Sequence, residues 1–261
     1  MRSFFLVLLL AIPVLAQTPA AIEKEWLGRL EMIAKHGSYS GDSNYELLEK
    51  ENRALHDSIV KYGSRADVLA YSFSKLKDKM FVTTSKDGKF RAYSWDAETG
   101  GTMHDFLTVY QFRGRSGKVH TFSENYKGDD SAESAGAFVH QIFQTNAARG
   151  PIYLAVSTFM ATTSLNGQSI EAFTVTGERL NQDVKVFRTK EGLTDSIGFE
   201  YDFFTVVDRP ERPVTLFSYN ELRKEFKFPV VIEDAKTPQG RVTDKFITYR
   251  FDGKYFVKVG K

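Results

Sequence analysis

The feature that most constrains this chain is a change of hydrophobic period near residue 68. Before it, apolar residues recur every three or four positions. After it they alternate or gather in short aromatic runs, and the helical spacing does not resume. A period of 3.6 lays one stripe along a helix, and a period of two lays one face along a strand. The pattern therefore specifies a small helical part followed by a large β part.

The strand-like runs lie at 80–84, 89–95, 106–112, 118–122, 138–144, 152–160, 169–176, 183–188, 197–207, 214–219, 225–232, 245–251 and 254–259. Turn signals separate them: Asp87-Gly88, the Gly-Arg-Ser-Gly at 114–117, Arg149-Gly150-Pro151, Asn166-Gly167 and Asp252-Gly253. Asp87-Gly88 and Asp252-Gly253 read as two-residue type I′ turns, which need positive φ at both central positions. The segment 208–213, with Pro210 and Pro213, is a stiff connection that cannot continue a central strand. Links this short demand antiparallel neighbours, because a parallel pair needs a crossover of about a dozen residues or more. The expected fold is mainly β (α+β): an N-terminal α-hairpin followed by an antiparallel meander of about a dozen strands. The meander is curled or two-layered, with a propeller-like arrangement as the alternative.

Two helices precede it. Thr18 caps the first and Pro19 occupies its first position; Ile22, Trp26, Leu30 and Ile33 form the stripe, and Gly37 ends it. Ser43 with Glu46 reads as a capping box for the second, whose face carries Tyr45, Leu48, Leu55, Ile59 and Tyr62 up to Gly63. The expected organisation is a signal peptide at 1–16, the helical hairpin at 17–65 and the β domain at 66–261.

The signal peptide reading rests on Arg2, the apolar stretch 4–15 and the small-residue site Val14-Leu15-Ala16, with cleavage after Ala16. That stretch is too short for a comfortable span, and no later run approaches the ~20 apolar residues a membrane helix needs. The chain is expected to be exported, periplasmic or extracellular, without a membrane span. It has no cysteine, which removes disulfides, thiolate metal sites and cysteine nucleophiles. Loss of Arg2 takes the formal net charge from +2 to +1, with both signs interspersed, so nothing favours nucleic acid or an anionic membrane surface.

The chemistry-bearing stretch is 93–105, where a strand ends in Trp95 and Asp96 and a Gly-containing loop carries Glu98, Thr99, His104 and Asp105. Loops of this kind on a rigid sheet are where function concentrates. Trp95 either closes the sheet or offers a stacking platform to a sugar or aromatic group. The candidate binding residues are Trp95, Asp96, Thr99, His104 and Asp105. The partner is an unknown small molecule, glycan or protein, and no cofactor or metal is called for. The competing class is a hydrolase using His104, Asp105 and Asp96, with or without a metal. Asp96 and Glu98 form a possible carboxylate pair, and His120 and His140, if they met His104, would complete a zinc shell. No nucleophile elbow, phosphate loop or spaced metal motif is present.

The run Tyr93-Ser94-Trp95-Asp96 followed by Thr99-Gly100-Gly101-Thr102-Met103-His104 resembles the signature of a group of uncharacterised exported bacterial β-rich proteins. Asp202-Phe203-Phe204, the stretch 207–213 and Val242-Thr243-Asp244-Lys245-Phe246 are similar to that group as well. The resemblance spans most of the β region and implies a shared fold; it brings no activity, cofactor or catalytic residue.

Overall fold

A computed structural model describes residues 17–123 and 136–260. The stretch read as a signal peptide, 1–16, lies outside the described residues. Helix α1 (Pro19–His36) starts as expected, with Pro19 in its first turn and the Thr18 hydroxyl accepting from the Ala21 amide at 3.3 Å. Helix α2 (Tyr45–Gly63) starts one residue later than the capping box implied. Asn44, not Ser43, is the cap, and its Oδ1 accepts from the Leu47 amide at 3.1 Å. A short helix α3 (Ala66–Ala70) and a 3-10 turn at Ser74–Leu76 extend the helical part beyond residue 65.

Fifteen strands follow among the described residues. The first sheet is a meander of β1 (Phe81–Thr84), β2 (Phe90–Asp96), β3 (Phe106–Arg113) and β4 (Val119–Ser123). The second contains β5 (Phe138–Ala147), β6 (Gly150–Met160) and β7 (Leu165–Thr176), with β8 (Arg179–Asn181) paired to the end of β7. Next come β9 (Phe187–Arg188) and β10 (Leu193–Thr194), before β11 (Ser196–Asp202) returns to the free edge of β7. The last strands are β12 (Ser218–Asn220), β13 (Glu225–Asp234), β14 (Thr237–Phe251) and β15 (Phe256–Lys258). They complete a third sheet in the order β10-β9-β15-β14-β13-β12. Each ladder is antiparallel except β15 with β9, whose partners are far enough apart in sequence for a parallel return.

The meander is therefore neither a curled sheet nor two layers. Alternate residues of β2 and β3 divide between two cores. Tyr93, Trp95, Leu107 and Val109 join Trp26, Leu30, Leu55 and Ile59 of the helices. Phe90, Ala92, Tyr110 and Phe112 instead meet Tyr153, Ala155 and Phe173 of the second sheet. The other face of that second sheet, with Ile152, Leu154 and Val156, packs on Phe187, Phe226, Phe228 and Tyr249 of the third. Helices and three sheets thus form four successive layers, and the propeller-like alternative gives way to three open sheets. Both faces of β2 are covered, which is why it is buried over nearly its whole length. Each large apolar side chain so enclosed contributes ~1.5–3 kcal/mol.

Arg91 is buried between helices and first sheet, at 4 % exposure. Its guanidinium donates to the carbonyls of Val68 at 3.1 Å and Tyr71 at 2.9 Å, and to Thr84 Oγ1 at 2.7 Å. Tyr71 in turn donates its hydroxyl to the buried Glu23 at 2.9 Å. Together these bonds fasten the 66–76 segment between α1 and β2.

Several turn readings change. The reversal read at Arg149-Gly150-Pro151 is made by Ala148 and Arg149, with Gly150 and Pro151 already in β6. Asn166-Gly167 lies inside β7; the reversal is made by 161–164, where Thr162 Oγ1 accepts the Leu165 amide at 2.9 Å. Position 167 stays small because the Phe159 ring lies over it from the paired strand. Both Asp-Gly hairpins are present, but neither is type I′: only Gly253 has positive φ at Asp252-Gly253, 105°, and only Gly88 at Asp87-Gly88, 68°. The turn runs from Ser85 to Gly88, closed by Gly88 N–H donating to Ser85 O at 3.0 Å. Asp87 uses its carboxylate to hold the turn, accepting from Ser85 Oγ at 2.7 Å and from the Tyr153 hydroxyl of the second sheet at 3.0 Å. Gly88→Val is expected to destabilise by roughly 1–3 kcal/mol, the cost of a side chain in a sparsely populated backbone region. Gly253→Val, at φ 105°, should cost less, because the Asp252 carboxylate accepts only the Lys254 and Tyr255 amides of its own turn among the described residues. Urea denaturation of both variants checks this; two values within a few tenths of a kcal/mol of the parent would show loose loops.

Candidate functional site

The 96–105 loop leaves the first sheet at the end of β2 and re-enters it at β3, with Asp96 paired to Phe106 across the ladder. Its base is built from core contacts. The Trp95 indole is fully buried and donates to Asn52 Oδ1 of α2 at 2.9 Å. The Asn52 amide donates to Ala97 O at 2.9 Å and Leu48 O at 3.1 Å. Trp95 is thus a core residue, and the stacking-platform reading is corrected: no face of its ring reaches solvent. Asn52 carries no sequence signal beyond a polar residue on an otherwise apolar helix face.

Above this base the loop is held by its own polar groups. Asp96 Oδ1 accepts the Glu98 amide at 2.9 Å, and Thr99 Oγ1 donates to Asp105 Oδ2 at 3.0 Å. Ser38, just beyond α1, donates its amide to Glu98 O at 2.9 Å and its hydroxyl to the carbonyls of Glu98 and Thr99 at 3.0 Å. His104 N–H donates to Met160 O at the end of β6, 3.1 Å away. Gly100 is required here, because a Cβ would sit 1.9 Å from the Met103 carbonyl oxygen. Helix layer, first sheet and second sheet all grip one loop.

The side chains it presents sort into two pairs. His104 Nδ1 meets Asp96 Oδ2 at 2.5 Å, while Asp105 is taken up by Thr99 and is not the partner of His104. Glu98 is half-buried beside the first pair. Burial raises its carboxyl above the ordinary range, the Asp96 charge adds to this, and His104 opposes it. Met103 and Tyr39 are exposed alongside, and the Tyr39 hydroxyl lies close to Gly101. Asp96, Glu98 and His104 are thus brought together, and Thr99 and Asp105 form the adjoining support.

The other histidines do not join them. His120 Nε2 contacts Glu178 at 2.7 Å, and His56 Nε2 contacts Ser123 Oγ at 2.9 Å. His140 is the extra residue of a bulge between Val139 and Gln141, with Nε2 3.1 Å from Thr158 Oγ1 and Nδ1 enclosed without a partner. Among the described residues no group of three His, Asp or Glu is arranged to hold a metal ion. The zinc shell considered from the sequence is not assembled.

Fold and loop together define an antiparallel β protein of three stacked sheets, with a helical layer that helps seat an acidic, histidine-bearing surface loop. No protein-family model matches the chain, and no curated protein or solved structure shows significant similarity to it. No helix among the described residues is long and apolar enough to cross a membrane.

Proposed function

We propose that the mature chain is an exported, non-catalytic binding protein whose recognition surface is the 96–105 loop. The observation that carries this reading is the loop's support. Surface groups held by Asn52 and Ser38 from the helical layer and by Met160 from the second sheet are ordered before any partner arrives, which lowers the entropic cost of binding. Asp96 and the half-buried Glu98 favour a partner that brings a positive charge or several hydrogen-bond donors. Met103 and Tyr39 supply apolar contact area. A small amine, a glycan or a basic protein segment has this chemistry.

The test uses the chain beginning at Gln17, the terminus that mass spectrometry of the exported protein is expected to find; an intact Met1 there would sink the export reading. Amines, glycans and basic peptides are screened by ligand-observed NMR against the parent, Asp96→Asn and His104→Ala. A ligand of this surface should bind the variants roughly tenfold more weakly, ~1.4 kcal/mol, with melting temperatures unchanged. A ligand bound equally by all three proteins would place recognition elsewhere. The His104–Asp96 contact supports one second reading, since a carboxylate that orients an imidazole is also an acid–base arrangement. Ester or glycoside turnover that disappears in His104→Ala would replace the binding reading with a hydrolase.

A further inference from the structure

A cleft of about 680 Å³ lies far from that loop. It opens where β6 begins, at Gly150 and Pro151, whereas His104 is bonded to Met160 at the strand's other end. Ten residue steps along a strand separate the two by roughly 30 Å. The volume falls within the ~300–1,000 Å³ usual for small-molecule sites.

Its lining is divided by chemistry. Ile152, Val184 and Val186 form an apolar floor continuous with the core between the second and third sheets. Ile152 and Val186 are nearly inaccessible, at 4 % and 7 %, so it is the half-buried Val184 that presents the floor's apolar surface at the edge of this packed core. The rim carries Arg149, on the two-residue turn between β5 and β6, together with Lys185 and Lys254. The one acidic lining residue, Asp183, is 3.8 Å from Lys185. The nearby Asp252 is committed to its own turn, accepting the Lys254 and Tyr255 amides at 2.8 and 2.7 Å. Among the described residues no carboxylate forms an ion pair with Arg149 or Lys254.

We propose that this cleft binds a single-chain anionic amphiphile, its hydrocarbon on the Ile152–Val184–Val186 floor and its acid head between Arg149 and Lys254. An apolar floor alone would accept any hydrocarbon; the two cations above it, Arg149 and the Lys254 that rests over the Tyr255 ring at 5.0 Å, have no carboxylate partner among the described residues and select the negative head group. A neutral or cationic chain of equal length would gain the floor and lose the rim. The inference is independent of the loop at 96–105.

Dodecanoate, below its micelle concentration, is the probe for isothermal titration, with dodecyltrimethylammonium as the chain-matched control of opposite charge. The expected result is saturable one-to-one binding of dodecanoate, weakened by added salt, and little binding of the cation. Arg149→Glu with Lys254→Glu should weaken dodecanoate roughly tenfold or more, since rim charges of the wrong sign repel the head group. Val184→Trp, which fills the floor, should abolish binding while the exposed rim is unchanged. If charge reversal disturbs the circular dichroism spectrum, Arg149→Gln with Lys254→Gln replaces it and should weaken binding in the same direction. Absence of saturable binding, equal affinity for both head groups, or full affinity in a folded double variant would each overturn the proposal.

Discussion

Trp95→Ala is expected to destabilise the folded chain by about 3–5 kcal/mol, the range for removing a large aromatic from a packed interior. The indole is fully buried in the core shared by helices and first sheet, and its N–H is bonded to Asn52. Trp95→Phe separates the two contributions. It keeps much of the apolar area but leaves Asn52 Oδ1 without its donor inside the protein, which should cost about 1–3 kcal/mol. Urea denaturation followed by far-ultraviolet circular dichroism is the measurement, because tryptophan fluorescence is itself altered. A midpoint for Trp95→Ala close to the parent's would mean that the ring is solvated. The consequences should extend to the loop, since Asn52 also bonds Ala97 O. Trp95→Phe should therefore loosen the 96–105 surface even where the protein remains folded, and amide exchange of Ala97 and Glu98 should quicken.

The second large effect is a loss of stability in mild acid that is traceable to His140. Burial pushes its imidazole from 6.5 down to about 4. The folded state holds the neutral ring, while the unfolded chain takes up a proton near the ordinary value. The stabilisation is therefore complete above about pH 6.5 and is lost as pH falls toward about 4. At ~1.4 kcal/mol per unit, the shift corresponds to about 3 kcal/mol across that window. Its geometric cause is the bulge that places the ring beside Phe138 and Thr158, with Nδ1 enclosed and unpartnered. His140→Gln cannot take up that proton. It should be less stable than the parent at neutral pH and lose less on acidification, so the two urea-midpoint curves converge. Parallel curves would show that carboxylates alone set the acid limb.

Much of the local structure is legible in the sequence. The helical stripe Ile22, Trp26, Leu30 and Ile33 is buried as read, because periodicity and the Thr18-Pro19 start act within a few residues. The hairpins around Asp87-Gly88 and Asp252-Gly253 are present, since their glycines take positive φ locally. Errors arose where a local signal met a distant partner. Asn166-Gly167 resembles a turn, but its small residue serves the Phe159 ring on the neighbouring strand. At the site, the motif located Asp96, Thr99, His104 and Asp105 in one loop, but not their pairing. His104 joins Asp96 across eight residues, and its sequence neighbour Asp105 joins Thr99.

What the chain alone determined is the helical start, the β body and the loop that interrupts its second hairpin, because backbone period, caps and turns depend on residues a few positions apart. Only the tertiary structure decided that three sheets stack behind the helices, that Trp95 is core, and that His104 pairs with Asp96 at the surface. Those outcomes rest on contacts such as Trp95 with Asn52, forty-three residues apart. Alternation shows that a strand has two faces. Which layer covers each face depends on where the chain returns in space, as when β11 comes back to β7 and buries a surface that strand period alone leaves open.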